Sequence, residues 1–396
     1  MREWIRDMPI VSILIVARNA ASTIGRAMRS AVDQGNYPIV LVDDASSDDT
    51  VALAKVVGLD RLRVVVVESH SQLGAARQLG LESINTEYCV LLDADDELLP
   101  GRVDCLVETM QREGTDAVFD EIELWQESGN QFLRKLPIPG FLEKGCSLCR
   151  LFERNYLPGI GQMGFRSAFF KAVGYDREIH GPEDTDIVLR ALVAGATFSL
   201  VREVGYRMYH GEVSVSRNLA RQNSELKRVL EKHSYERVAE LYREAGYSER
   251  INLWGRHSLA TFREDRRSIR RFLDELEWEG IDPECVLEAD GPMPMSEGWR
   301  LAFARGSLCL IQGDATGALD YFLGIVAEEE ASEVLNNVGV AEALLGNSDR
   351  AREYFEKALK RFPGYADAAA NLQDSRAPVA TWLPLRRQPS RDLYSS

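Results

Sequence analysis

The sequence predicts an α/β domain built on a largely parallel sheet, followed by an all-α repeat region. Three observations lead there. Continuous β-rich apolar runs alternate with helical patterns through the first hundred residues. Beyond Ser216 the chain turns charged and helical, with no comparable strand signal. Near the C-terminal end, a set of small and aromatic residues recurs at a spacing of 33.

The elements follow in order. "PIVSILIVA" reads as a first buried strand, and from Ser22 a helix carries Ile24, Ala27, Met28, Ala31 and Val32 on one face. "IVLVDD" is a second buried strand, and "SSDDTVALAKVV" a helix with an acidic first turn. "LRVVVVES" is a third strand, Gln72 to Ser83 a helix, and "EYCVLLDAD" a fourth strand. Unbroken apolar strands separated by helices imply a parallel sheet covered on both faces. From about Ala117 the pattern is mixed until a helix, Glu183 to Gly195, and then two β-like segments, "TFSLV" and "GYRMYH". In the C-terminal part, Gly306, Gly313, Ala318, Tyr321 and Phe322 recur as Gly339, Gly346, Ala351, Tyr354 and Phe355. Small residues let paired helices approach, and the aromatics fill the groove between repeats. The spacing is one short of the 34-residue tetratricopeptide unit, and a third copy begins at "ADAAANL". The expected divisions are an α/β domain at 1–220, a helical connector at 221–297, repeats at 298–375 and a disordered tail at 376–396.

At 396 residues the chain has room for two or three cores. Its net charge of −15 argues against a general nucleic-acid binder. No apolar stretch approaches the ~20 residues of a spanning helix. The first residues are not read as a signal peptide. Six scattered cysteines, including a lone CxxC at Cys146 and Cys149, suit a reduced protein, so a cytoplasmic location is expected.

The chemistry concentrates where apolar strands end in carboxylates. Asp43 and Asp44 close the second strand; Asp93, Asp95, Asp96 and Glu97 close the fourth. The plain alternative is a solvated acidic turn. Ligands on parallel sheets, however, bind beyond the carboxyl ends of the strands, and two acidic strand ends fall there together. Clustered carboxylates repel unless a cation relieves them. A divalent cation held by Asp95, with Arg77 shortly upstream, would suit a diphosphate. Neither a GxGxxG nor a GxxxxGK[ST] loop is present, and the first loop, "ARNAAST", has no glycine.

Taken together, "VSILIVARNAASTI", "VDDASSDDT", "GAARQLGLESINTEYCVLLDADDELLPGR", "GFRSAFF" and "EDTDIVLRALVAG" resemble the motifs of inverting family 2 glycosyltransferases of the GT-A fold, in the family's order. The resemblance covers roughly Pro9 to Ser216 and implies a Rossmann-like mixed sheet. It also implies roles. Asp93-Ala94-Asp95 matches the DXD motif, whose last Asp binds Mn²⁺ or Mg²⁺ and whose first contacts the sugar nucleotide. Asp44 matches the reader of the uracil edge, with Val16, Ala17 and Arg18 lining the base pocket and Asp43 nearby. Arg77 matches an arginine near the diphosphate. Asp184 matches the catalytic base, with Glu183 beside it. His210 lies where relatives supply a further ligand to metal or diphosphate. The chain departs from the family pattern at Val16, Arg18 and Gln78, which bears on the base pocket.

The implied activity is metal-dependent inverting transfer from a nucleoside-diphosphate sugar, a UDP-sugar, to a peptide, protein or glycan acceptor, a lipid-linked sugar included. Joining such a domain to repeats resembles the architecture of bacterial peptide S-glycosyltransferases. The repeats would recruit the acceptor or pair two chains as a homodimer. The competing reading is a scaffold whose repeats bind a protein and whose first domain only retains a nucleotide site.

Overall fold

The computed structural model describes residues 10–138, 142, 145–153, 155–157, 159–210, 219–263, 265–279, 297–328, 331–361 and 365–381. Contacts divide the chain into two compact units. The first comprises Met1–Ile138, Leu142–Cys149 and Asn155–Ser216; the second comprises Pro139–Phe141, Arg150–Arg154 and Arg217–Ser396.

In the first unit the expected strands form: β1 (Val11–Ala17), β2 (Ile39–Asp43), β3 (Leu62–Val66) and β4 (Tyr88–Asp93). They lie parallel in the order β3-β2-β1-β4. Helices α1 (Ile24–Val32), α2 (Thr50–Gly58) and α3 (Leu73–Ser83) connect them. β1, β2 and β4 are almost wholly buried, as their uninterrupted apolar sequences require. β3 is different. As the edge strand it is only partly covered, and Val66 faces solvent.

The sheet then becomes mixed. β5 (Glu97–Leu98), β6 (Ala117–Gln126), β7 (Gln131–Leu136), β8 (Gly164–Arg166) and β9 (Phe198–His210) extend it, with β8 antiparallel to β4 and β9 parallel to β6. Helices α4 (Arg102–Glu113), α5 (Ser167–Val173) and α6 (Glu183–Val193) complete the unit. The two β-like segments read near residue 200 are one strand. β9 runs through the polar Arg202 and Glu203 because its register on β6 shifts at Asp120–Ile122, which absorbs the interruption. The expected α/β class holds, with a parallel half that carries the acidic strand ends.

The second unit is helical: α7 (Leu219–Glu231), α8 (Tyr235–Glu244), α9 (Glu249–Phe262), α10 (Arg266–Glu279), α11 (Glu297–Gln312), α12 (Ala315–Glu328), α13 (Ser332–Leu344), α14 (Ser348–Arg361) and α15 (Ala366–Gln373). The repeat explains its packing. A Cβ on Gly306 would lie 2.8 Å from the Phe322 ring, and one on Gly339 would lie 2.5 Å from Phe355. The aromatics therefore pack on glycine inside each helix pair, where the sequence placed them between repeats. Gly313 and Gly346 end α11 and α13 in matching left-handed conformations, φ +81° and +83°.

Leu253, Trp254, Ala260, Ile269 and Phe272 share a core with Ala304, Leu308 and Ile311, so connector and repeats are continuous. Residues 376–381, read as the start of a disordered tail, are ordered: Ala380 and Thr381 are buried, and Thr381 is hydrogen-bonded to α13 and α15. Residues 382–396 lie outside the described residues. Among the described residues no helix is long and apolar enough to cross a membrane.

Candidate active site

The ends of three neighbouring strands make the floor. Strand register sets Val16 beside Asp93 and Ala17 beside Asp43, so the β2, β1 and β4 ends lie side by side. Ala17 is buried, Val16 is half-buried and Arg18 is exposed. The loops after β1 and β2 are tied together: Ser47 N–H donates to Asn19 Oδ1 at 2.8 Å, and Ala20 N–H donates to Thr50 Oγ1 at 2.7 Å. Asn19, Ala45 and Gln72 have left-handed backbones around this edge, an uncommon state for non-glycine residues that concentrates at functional sites.

The five carboxylates nearest these ends have separate duties. Asp44, expected to read a uracil edge, already has both oxygens engaged. Oδ2 lies 2.6 Å from His70 Nδ1, while Oδ1 accepts from Ser71 N–H at 2.7 Å and Ser71 Oγ at 2.8 Å. Asp43 accepts from Ser46 N–H at 3.3 Å on Oδ2, and among the described residues its buried Oδ1 has no donor. Asp93 accepts from Arg77 at 3.1 Å and from Gln162 Nε2. Asp96 points inward, accepting from Tyr206 Oη at 2.9 Å and Tyr209 N–H at 2.8 Å. Burial first, then the charges of Asp95 and Asp93, holds the Asp96 pKa well above the usual carboxylate range. Asp95 is the exception: it is exposed, and no side chain among the described residues donates to its carboxylate. Desolvation by the surrounding protein, then Asp93, raises its pKa to about 6. Arg26, stacked 3.7 Å over the Tyr209 ring, donates to the Asp95 backbone carbonyl and fixes the turn. Ala94, between the two aspartates, is buried.

Helix α6 brings the remaining carboxylates. It starts at Glu183, so three acidic residues fall in its first turn, where the peptide dipoles favour negative charge. Glu183 is buried and accepts from Arg77 at 2.8 Å. Asp184 is half-buried; its Oδ1 accepts from Thr185 N–H at 2.6 Å and Thr185 Oγ1 at 3.3 Å. A Cβ on Gly161 would lie 3.1 Å from Asp184 Oδ2 and 3.4 Å from an Arg77 guanidinium nitrogen, so glycine keeps that space open.

Arg77 is 4% exposed, and its guanidinium is paired with Glu183 and Asp93. Among the described residues one cation, Arg77, faces three carboxylates, Asp93, Glu183 and Asp184. Burial raises the pKa of Glu183 and Asp184, and Arg77 opposes that rise in both. Sequence reasoning missed His70, Ser71, Gln162, Gly161, Arg26 and Tyr206, which carry no motif of their own. His210 ends β9 opposite Gln126, and its side chain lies outside the described residues.

Among the described residues no three His, Cys, Asp or Glu side chains converge as a ready metal cage. Asp95 offers one oxygen donor in a negative environment, which suits a hard divalent ion that takes its other ligands from phosphate and water. As a hard oxygen donor, Asp95 fits Mn²⁺ or Mg²⁺.

On an open α/β sheet of this kind ligands bind in the crevice beyond the carboxyl ends of the strands, which is where these carboxylates lie. Residues 12–172 match the family model Glycosyl transferase family 2, and residues 332–365 match Tetratricopeptide repeat. Residues 12–172 are thus similar to family 2 glycosyltransferases, and residues 332–365 to a tetratricopeptide repeat. It is 27% identical over 229 residues to "Succinoglycan biosynthesis protein ExoO" of Rhizobium meliloti, covering 54% of this chain and 65% of that protein. It is 32% identical over 217 residues to "Succinoglycan biosynthesis protein ExoU" of the same organism, covering 50% and 60%. The chain thus spans under two thirds of the length of either relative. Among solved structures it is similar to S. aureus TarS 1–349 in complex with UDP, at 16% identity and a TM-score of 0.47, covering 90% of this chain and 93% of that one.

Proposed function

We propose that this chain is a cation-assisted inverting glycosyltransferase that takes its sugar from a nucleoside diphosphate, a UDP-sugar, with Asp184 as general base. The observation that carries the reading is the division of labour among the carboxylates. Among the described residues, Asp93 and Asp96 are tied to protein donors and Glu183 gives one oxygen to Arg77 and keeps the other buried without a partner, whereas the Asp95 carboxylate and the half-buried Asp184 Oδ2 accept from no protein donor.

The base pocket lies against Val16, Ala17 and Arg18, with the buried Asp43 Oδ1 the acceptor left open for a ligand N–H. Mn²⁺ or Mg²⁺, when bound at Asp95 with the diphosphate, supplies charge neutralisation to the leaving group. The acceptor atom forms its bond to the anomeric carbon as the bond to the diphosphate oxygen breaks on the opposite face. The leaving electron pair stays on the diphosphate, and the acceptor proton passes to Asp184. A raised pKa makes Asp184 a stronger base than an ordinary carboxylate. Glu183 holds Arg77 and acts as a positioning residue. The acceptor is a peptide, protein or glycan. The helical region, with its repeats, recruits it or pairs two chains.

Asp95→Asn tests the cation assignment. Calorimetric titration should show Mn²⁺ strengthening UDP binding to the wild type and leaving the variant unchanged. Equal UDP affinity for the wild type in Mn²⁺ and in EDTA would remove Asp95 from the mechanism.

A further inference from the structure

In the second unit, one set of buried polar side chains is spent on the backbone of a neighbouring segment. Asn337 on α13 donates from Nδ2 to the Thr381 carbonyl at 2.7 Å and accepts from Thr381 N–H at 2.7 Å. Asn371 on α15 makes the same pair with Val379, donating to its carbonyl at 2.9 Å and accepting from its N–H at 2.6 Å. Asn336 adds a donor to the Val379 carbonyl at 3.1 Å and accepts from Asn371 at 2.9 Å. All three asparagines are 0% exposed. Asn337 and Asn371 lie 34 residues apart, the tetratricopeptide period, so successive repeats use the same position on alternate residues of the segment.

The Thr381 hydroxyl has its own pocket. It donates to Asp367 Oδ2 at 2.8 Å, contacts Tyr365 Oη, and lies 3.4 Å from Asn336 Nδ2. Recognition therefore has two parts. The amide pairs read backbone, which every residue except proline supplies, and the Asp367 pocket reads a hydroxyl. Buried asparagines without such partners would be costly, so the face requires an occupant of this chemistry.

We propose that the face bearing Asn336, Asn337, Tyr365, Asp367 and Asn371 is a binding site for a polypeptide segment carrying Ser or Thr, and that Val379–Thr381 occupies it as an intramolecular ligand. A peptide in trans then competes with a tethered segment whose effective concentration is on the order of millimolar. The site is gated by its own chain. This inference stands on the second unit alone and is independent of the donor chemistry.

The test uses the full chain and a fluorescein-labelled peptide with the sequence of residues 375–384, SRAPVATWLP. In the double variant Val379→Pro with Thr381→Pro, neither nitrogen can donate to Asn371 or Asn337, which releases the tethered competitor. Fluorescence polarisation should show this variant binding the peptide at least ~10-fold more tightly than wild type, because the tethered segment loses two backbone donors and the Thr381 hydroxyl. Adding Asn337→Ala and Asn371→Ala should abolish that binding, as should N-methylating the peptide at the Val and Thr amides. A peptide with Val in place of Thr should bind more weakly. A released variant that keeps its helical circular dichroism and binds peptide no better than wild type overturns the proposal. Should the variant lose its helices, hydrogen exchange on the wild type decides. Excess peptide must speed exchange of the Val379 and Thr381 amides while that of Phe355 stays slow; unchanged exchange also overturns it.

Discussion

Replacing Arg77 by Met separates the architecture found here from the role its sequence position implies. The Arg77 and Glu183 side chains are 5% and 2% exposed and 2.8 Å apart. Removing the guanidinium leaves a buried carboxylate unpaired, a loss of about 3–5 kcal/mol. A unit of this size loses roughly 2–4 °C of Tm per kcal/mol, so its unfolding should fall by about 6–20 °C. Adding Glu183→Gln removes the orphaned charge and should recover at least half of the loss, because buried ion pairs replaced whole are often nearly neutral. Thermal unfolding by circular dichroism on wild type, both single variants and the double variant gives the coupling directly. The reasoning fails if Arg77→Met melts within about 2 °C of wild type and its defect is confined to weaker nucleotide binding. That pattern would return Arg77 to the diphosphate.

Other predictions concern the reacting end of the cluster. Asp184→Asn should slow transfer by at least ~10²-fold while leaving UDP affinity within about threefold, since the base acts on the acceptor. Its Tm should not fall, because a carboxylate whose pKa is raised in the folded state is held there at a cost when ionised. The pH profile follows in sign: the proton-accepting form fills only as pH rises through the raised value. The acid limb of kcat should therefore lie above the ~4 of a free carboxylate and vanish in Asp184→Asn. Gly161→Ala should cut kcat between ~10- and ~10²-fold with little change in Tm, because its Cβ would crowd Asp184 Oδ2 at 3.1 Å. Normal turnover by that variant would show that the space beside Asp184 is not used.

Much of this molecule is legible in the sequence because its physics is local. β1, β2 and β4 are buried on both faces, so each is a nearly unbroken apolar run, and the first carboxylate marks the ends of β2 and β4. The repeats are legible through glycines that a phenylalanine ring must approach. What stayed hidden depends on distant partners. The partner of Arg77, Glu183 on α6, lies 106 residues away. Asp44 looks free until His70 and Ser71 close over it from a loop with no pattern. Of the acidic run after β4, only the fold tells which side chain turns inward: Asp96 anchors β9 through Tyr206 and Tyr209, and Asp95 does not. The segment "APVAT" resembles a solvated tail because its partners are asparagines on α13 and α15, which look polar in sequence and are buried in the fold.

The central claim is that the carboxylate cluster turns over a nucleoside-diphosphate sugar with a divalent ion. A mass-spectrometric donor screen tests it most directly, following nucleoside diphosphate released from a panel of sugar nucleotides with Mn²⁺ and with EDTA. At least one UDP-sugar should be consumed by the wild type in Mn²⁺, with no release in EDTA or by Asp95→Asn. Release of the same extent in EDTA, or no interaction with any sugar nucleotide by a folded wild type, would contradict the account.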